Sequence, residues 1–436
     1  MVIKSILTVL LSKKYKIYKK INNMHSTAAQ QLTYNSLAHN SNATNPVARS
    51  KRKSDNLAIT KIATKKYLAA RQVQEQAFES VTVSAKQRKL ALYIELTEAE
   101  SIAGNWSAVA SLAQIGLQSL VDLKTMQRAL LYTKLAQAQR KQGHWKDAVI
   151  AALAGLSPMP KKSIGIILYR ELAEGLRRQN HCAEAAEAAQ KGLNLMPDSI
   201  MQAVFYRELI YVQRQQCNWA AVSATTQAIL SSGCQKDLHN QVNAVFYREL
   251  AEAQYHQSNF LAAIVAAQTG LALSEPLPSN QTRAELYLKL AAAQYKLGDF
   301  KKSLKAAQDG LTLSDTLPIN LTIVKLRLKL TKIYHKLDYL VDAAREALAA
   351  LAIAKRLANN DQVQVRLYKE LAKIQYQQKL FVPVINAAKM GLALNPEKKS
   401  AIYLYKVLFE AHLQCGNMEA GISAAQVGLA LATSKT

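Results

Sequence analysis

LYLKLAAAQYKLGDFKKSLKAAQDGLTLSD, residues 286–315, reads as two short helices joined by a tight turn. Tyr287, Leu290 and Ala291 fall three and four residues apart, the spacing that puts side chains on one face of a helix. Gly298 and Asp299 then break the pattern, and Phe300 opens a second apolar stretch with small residues at Ala307 and Gly310. Glycine tolerates the left-handed backbone that ends a helix, so the turn has a stated cause.

The same phrase returns along the chain. Its tyrosine recurs at Tyr93, Tyr132, Tyr169, Tyr206, Tyr247, Tyr287, Tyr368 and Tyr405, with Arg327 in the slot once. Successive spacings are 39, 37, 37, 41, 40, 40, 41 and 37 residues, which defines nine units. Each first helix is expected to run from two residues before the tyrosine to ten after it. Eleven residues after the tyrosine a helix-ending turn is expected at Gly104, Gly143, Asn180, Asn259, Gly298 and Gly416. A large apolar residue follows, namely Trp106, Trp145, Trp219, Phe260, Phe300 or Phe381, and its fixed place after the turn marks it as core packing. Small residues close the second helix, as in Ala267 with Gly270 and Ala388 with Gly391, and let neighbouring helix axes approach closely. The units with proline at Pro160, Pro197 and Pro396 are the three followed by a spacing of 37, because proline stops the second helix promptly. Extra length falls between hairpins, as at 274–280 and 314–320. The fourth unit departs from the pattern with Ile229 in the glycine place, and the seventh with Arg327 and Leu340.

These features together resemble the tetratricopeptide repeat (TPR), in a long-repeat form, over about residues 85–431. The resemblance implies an all-α, right-handed solenoid of about nine helical hairpins whose first helices line a concave partner-binding groove. It also implies that residues one, five, eight and nine after the tyrosine face that groove.

Read in those slots, the middle of the array is mixed. Arg170 with Glu174 and Arg248 with Glu252 stand at i, i+4, joined by Arg177, Arg207 and Arg214. Further on the slots hold Tyr255, Tyr295, Lys296, Lys332, His335, Lys336, Lys369, Lys373 and Tyr376, with acid nearly absent. Lysines interleaved with aromatics suit an acidic peptide, since ammonium groups pair with carboxylates while rings cover its apolar stem. Solvated side chains on an ordinary helix face are the alternative reading. No asparagine occupies the slots, so the carboxylate-clamp subtype of the family is not expected.

Composition narrows the rest. The formal charge is +26 with a pI near 9.8. Residues 1–85 hold 14 Lys/Arg against 3 Asp/Glu, so the N-terminal part is the most basic. Such a balance speaks to anionic partners and says nothing about fold. Residues 1–23 contain a basic amphipathic stretch at 2–21, read as a membrane-surface helix, an organelle transit peptide or a start-site artefact. Residues 24–56 read as a disordered linker carrying the basic cluster Arg49-Ser50-Lys51-Arg52-Lys53, and 57–84 as a leading helix before the array at 85–436. Cys182, Cys217, Cys234 and Cys415 show no CxxC pair, which fits a reducing, cytoplasmic setting, and half-buried thiols are expected at Cys182 and Cys217. The chain stops soon after Leu431 with no polar capping helix, so self-association through that end is expected.

No phosphate-binding loop, zinc-protease or hydrolase motif occurs, and the histidines do not cluster with acids or cysteines. No catalysis, cofactor or metal is expected. The leading expectation is a scaffold or adaptor for an acidic protein segment. A nucleic-acid-binding repeat protein and a membrane-associated assembly factor are the alternatives.

Overall fold

The computed structural model describes residues 85–119, 125–157, 160–232, 238–273, 278–313, 317–358 and 360–433, all within one compact unit, Arg52–Thr436. The stretch 2–21, the linker with its basic cluster, the leading helix at 57–84 and Cys234 lie outside the described residues.

The described residues form eighteen helices paired as nine hairpins. They are α1 (Ala85–Ala103) with α2 (Trp106–Ser119), α3 (Thr125–Lys141) with α4 (Trp145–Leu156), and α5 (Lys162–Arg178) with α6 (Cys182–Asn194). Then come α7 (Ser199–Gln215) with α8 (Trp219–Ser231), α9 (Asn240–His256) with α10 (Phe260–Leu271), and α11 (Asn280–Lys296) with α12 (Phe300–Thr312). The last three are α13 (Leu321–Lys336) with α14 (Leu340–Ala354), α15 (Asp361–Gln377) with α16 (Phe381–Leu392), and α17 (Lys398–Gln414) with α18 (Met418–Thr433). Each hairpin packs on the next, so the fold is an all-α repeat solenoid.

One backbone position fixes the register of all nine hairpins. Gly104, Gly143, Asn180, Cys217, Ser258, Gly298, Asp338, Lys379 and Gly416 all have φ between 53° and 83°, and each stands eleven residues after its tyrosine or Arg327. In the fifth hairpin the left-handed residue is thus Ser258, and Asn259, the expected one, instead sits at the N-cap of α10. The irregular fourth and seventh units make the same turn with Cys217 and Asp338. Their turns are conserved in shape although not in residue type.

The first helices are longer than the expected reading. α11 begins at Asn280, seven residues before Tyr287, and ends at Lys296. The extra turns carry buried side chains, Thr282 and Ala284, while Leu286, already inside the expected span, lies against the preceding hairpin. A Cβ built on Gly270 would stand 2.8 Å from the Tyr247 Cβ and 3.0 Å from Leu286, so glycine is what lets these helices meet. Gly116, Gly155, Gly310 and Gly391 make the same contact with their own tyrosine and the next leucine. Ile229 replaces that glycine in the fourth hairpin and is itself buried. There α7 and α9 come less close than any other consecutive first helices. In the seventh hairpin Arg327 fills the tyrosine slot and pairs with Glu346 of α14 at 2.7 Å.

The hairpin-turn aromatics are half-buried against the core, as expected. Phe260, Phe300 and Phe381 each contact the tyrosine that ends the preceding helix, Tyr255, Tyr295 and Tyr376, with ring centroids 5.4–5.7 Å apart. The proline connections are short: α6 ends at Asn194, Met196 turns at φ 47°, and after Pro197 the side chain of Asp198 caps α7 by accepting from the Met201 N–H. Among the described residues no helix is long and apolar enough to cross a membrane.

Candidate functional site

Consecutive first helices touch closely, α7 with α9 excepted, whereas consecutive second helices share no contact of that extent. The array is therefore tighter on the first-helix side, and side chains on that face of neighbouring hairpins meet across a common surface. Four positions do so, one, two, five and eight residues after the tyrosine. The second of these lay outside the expected slots.

A ladder of ion pairs runs from hairpin two to hairpin five, with that second position supplying its glutamates in hairpins three to five. Glu171 pairs with Arg140 of the preceding hairpin at 2.5 Å, Glu208 pairs with Arg177, and Glu249 pairs with Arg214 at 2.8 Å. All three glutamates are buried, at 0%, 2% and 5% exposure. The expected i, i+4 pairs do not form. Arg170 bonds Glu171 and Arg248 bonds Glu249 and Glu285, while Glu174 goes to Arg140 and Glu252 to Arg214 and Lys289. The arginines turn to the adjacent glutamate of their own helix, and Glu174 and Glu252 turn to cations of neighbouring hairpins. Arg207 reaches Glu208 only at 3.7 Å and keeps more exposure than its equivalents. Burial alone would raise the Glu171 carboxyl, but the Arg170 and Arg140 guanidiniums hold it below the usual carboxylate range. The phrase Tyr-Arg-Glu at 169–171, 206–208 and 247–249 was the available signal, because the glutamate repeats where an exposed position would vary.

From hairpin six the same positions change character. Lys289 and Lys329 replace the glutamate in hairpins six and seven, and Tyr295, His335 and Tyr376 replace the arginine eight residues after the slot, as Tyr255 already does in hairpin five. Lys329 lies over the Tyr295 ring, 4.9 Å from its centroid, where hairpins two to five place a guanidinium on a carboxylate. Lys369 and Lys373 stand 4.7 and 5.2 Å from the centroid of Tyr403. Acid is not as scarce as the slots suggested. Glu370, two residues after Tyr368, lies among the cations, 3.8 Å from Lys332, 3.3 Å from Lys373 and 3.9 Å from His335. Although burial opposes it, His335 and these two lysines hold the Glu370 carboxyl down at about 2.

One carboxylate does not balance this cluster. Burial, and then the charges of Lys332, Lys296 and Lys289, push the Lys329 ammonium down to about 8. Lys325, Lys332 and Lys369 are lowered too, each chiefly by burial. The Tyr403 hydroxyl is pushed up to about 12, mainly by burial. His335, Lys373 and Tyr376 of the expected set line a cavity of about 230 Å³ with Gln377, Tyr403, Val407 and Glu410. Its last three residues come from α17 and were not foreseen. Lys296 and Lys336 are exposed, and Lys296 is the one close enough to act on Lys329.

The remaining candidates are structural. His144 and His181 sit at the N-caps of α4 and α6, and His256 stacks on Trp219 with ring centroids 4.0 Å apart. Among the described residues no three His, Cys, Asp or Glu side chains gather as a metal would require. Cys182 is half-buried as expected, but Cys217, which occupies the left-handed turn position of the fourth hairpin, is exposed.

No protein-family model matches the chain, and no curated protein matches its sequence. Among solved structures, the apo form of RapI aligns with 80% of this chain and 98% of its own, at 11% identity and a TM-score of 0.54. The apo quorum sensor NprR from B. thuringiensis aligns over 88% and 99% of the two chains, at 14% identity and 0.38. The C-terminal part of a TPR repeat-containing protein from Cytophaga hutchinsonii covers 61% of this chain and is itself 96% covered, at 15% identity and 0.43. At such identities the likeness is one of fold. With its nine hairpins in one register, the chain is a tetratricopeptide-like helical-repeat protein.

Proposed function

We propose that the chain is a non-catalytic scaffold that holds an acidic segment of a partner protein on the first helices of hairpins six to eight. One observation carries this reading: buried and half-buried ammonium groups outnumber the carboxylates that face them. Around Lys329 stand Lys289, Lys296 and Lys332, and Glu370 is already shared by Lys332, Lys373 and His335. An incoming carboxylate relieves that repulsion, and Tyr295, Tyr376 and Tyr403 offer apolar surface for its stem. The ladder in hairpins two to five argues against a nucleic-acid track. Its arginines are already engaged by buried glutamates and are not free to line a continuous phosphate track.

Affinity purification from native cells, with nuclease treatment, tests the proposal. Wild type is compared with a variant carrying Lys332→Glu and Lys373→Glu. Specific proteins that survive nuclease and are lost from the variant are the expected result. Bound material that nuclease removes, or partners that the variant keeps, would overturn it.

A further inference from the structure

Lysines two residues after the tyrosine slot, which Arg327 fills before Lys329, follow a pairing rule that breaks once. Lys134 pairs with Glu98, and Lys289 pairs with Glu252 at 2.7 Å. Both acids stand five residues after the tyrosine of the preceding hairpin. For Lys329 that place is held by Ala292, which is half-buried and has no group to pair. Among the described residues no carboxylate forms an ion pair with Lys329, and its ammonium rests on the Tyr295 ring. The acid whose charge acts on it, Glu370, is engaged by Lys332 and Lys373.

We propose that Lys329, above Ala292 and beside Tyr295, is the seat of one carboxylate side chain of the bound segment. That carboxylate takes the place which Glu98 and Glu252 hold before Lys134 and Lys289. The inference rests on the acidic-segment reading and narrows it to one subsite. The place fits a glutamate or aspartate, because two other hairpins already fill it with the chain's own glutamate. Lys296 and Lys332 flank the seat and strengthen its field. The Tyr295 ring covers the methylenes that lead to the charge.

The test gives the site its missing partner in cis. A fluorescein-labelled polyglutamate peptide is titrated by anisotropy into the full chain, with polyglutamine and polyuridylate as comparison probes. Ala292→Glu is expected to weaken polyglutamate binding by about tenfold or more, since a charge-assisted contact is occupied. Ala292→Gln, of the same size without the charge, is expected to bind like wild type. Ala292→Glu is also expected to melt at or above the wild-type temperature. Should it fail to fold, Lys329→Met reads the same seat and is expected to lose a similar factor. Wild-type affinity in Ala292→Glu or in Lys329→Met, alongside lost binding in Lys332→Glu, would overturn the seat and leave the groove standing. No polyglutamate binding at all would overturn both. Tighter binding of polyuridylate, untouched by Ala292→Glu, would replace the proposal with a nucleic-acid site.

Discussion

Hairpins two to five and hairpins six to eight present the same helix face with opposite consequences. In the first region a glutamate two residues after the tyrosine is sealed between arginines of its own and the preceding hairpin. In the second a lysine stands there in hairpins six and seven, Glu370 of hairpin eight is shared among several cations, and the arginine eight residues after the slot is replaced by a ring. One substitution pattern closes the surface and the other leaves it short of acid. The lesson is that net charge along a repeat array says less than whether each charge has a partner. Arg170, Arg207 and Arg248 looked as available as Lys332 and Lys373, yet they belong to the closed region.

The largest effect should come from breaking the closed region. Glu171→Ala leaves Arg140 and Arg170 half-buried without their carboxylate and is expected to cost about 3–5 kcal/mol in urea unfolding. A change of well under that amount would show that the ladder contributes little. Next is the packing that both regions share. Gly270→Ala forces a Cβ onto Tyr247 and Leu286 and is expected to cost about 1–3 kcal/mol, read as a lower thermal midpoint. Ser258→Gly should act in the opposite direction, raising stability by about 1 kcal/mol, because Ser258 bears φ 64° where glycine carries no steric penalty.

The open region should also announce itself through pH. The folded-state value of Lys329 lies near 8, below the ordinary 10.5, so between those values the unfolded chain binds more protons. The Lys329 contribution therefore makes stability rise with pH across that window. Over the same window affinity for an acidic peptide should fall, as the Lys329 ammonium discharges in the free protein. Lys289, Lys296, Lys332 and Glu370 are the charges that set this value, and Lys329→Met should remove that step from the profile. A profile unchanged by Lys329→Met would show that other groups carry it.

Much of the fold was legible because its causes are local. The tyrosine period, the turn and the glycine near the end of each second helix are each set by one backbone or packing demand. Even so, Cys217, Asp338 and Lys379 make the left-handed turn without a residue type that advertises it. The length of the first helices was missed because Thr282 and Ala284 are buried only once the hairpins stack, which no local spacing reveals. The site was legible only in part. Lys332, His335, Lys373 and Tyr376 do meet, but Glu370 and Tyr403 join them from positions outside the expected slots. Partnership across hairpins depends on the stacking offset. A face read from one helix cannot tell that Glu252 pairs with Lys289, nor that Ala292 holds the equivalent place before Lys329.

The most direct test sets the two regions against each other. Arg207→Glu changes the most exposed arginine of the closed region, and Lys332→Glu changes a lysine of the open one. Isothermal titration of a polyglutamate peptide into each variant is expected to show wild-type affinity for Arg207→Glu and a loss of about tenfold or more for Lys332→Glu. Equal losses in both would mean that the peptide answers to net charge alone, and the distinction between a closed and an open face would fail.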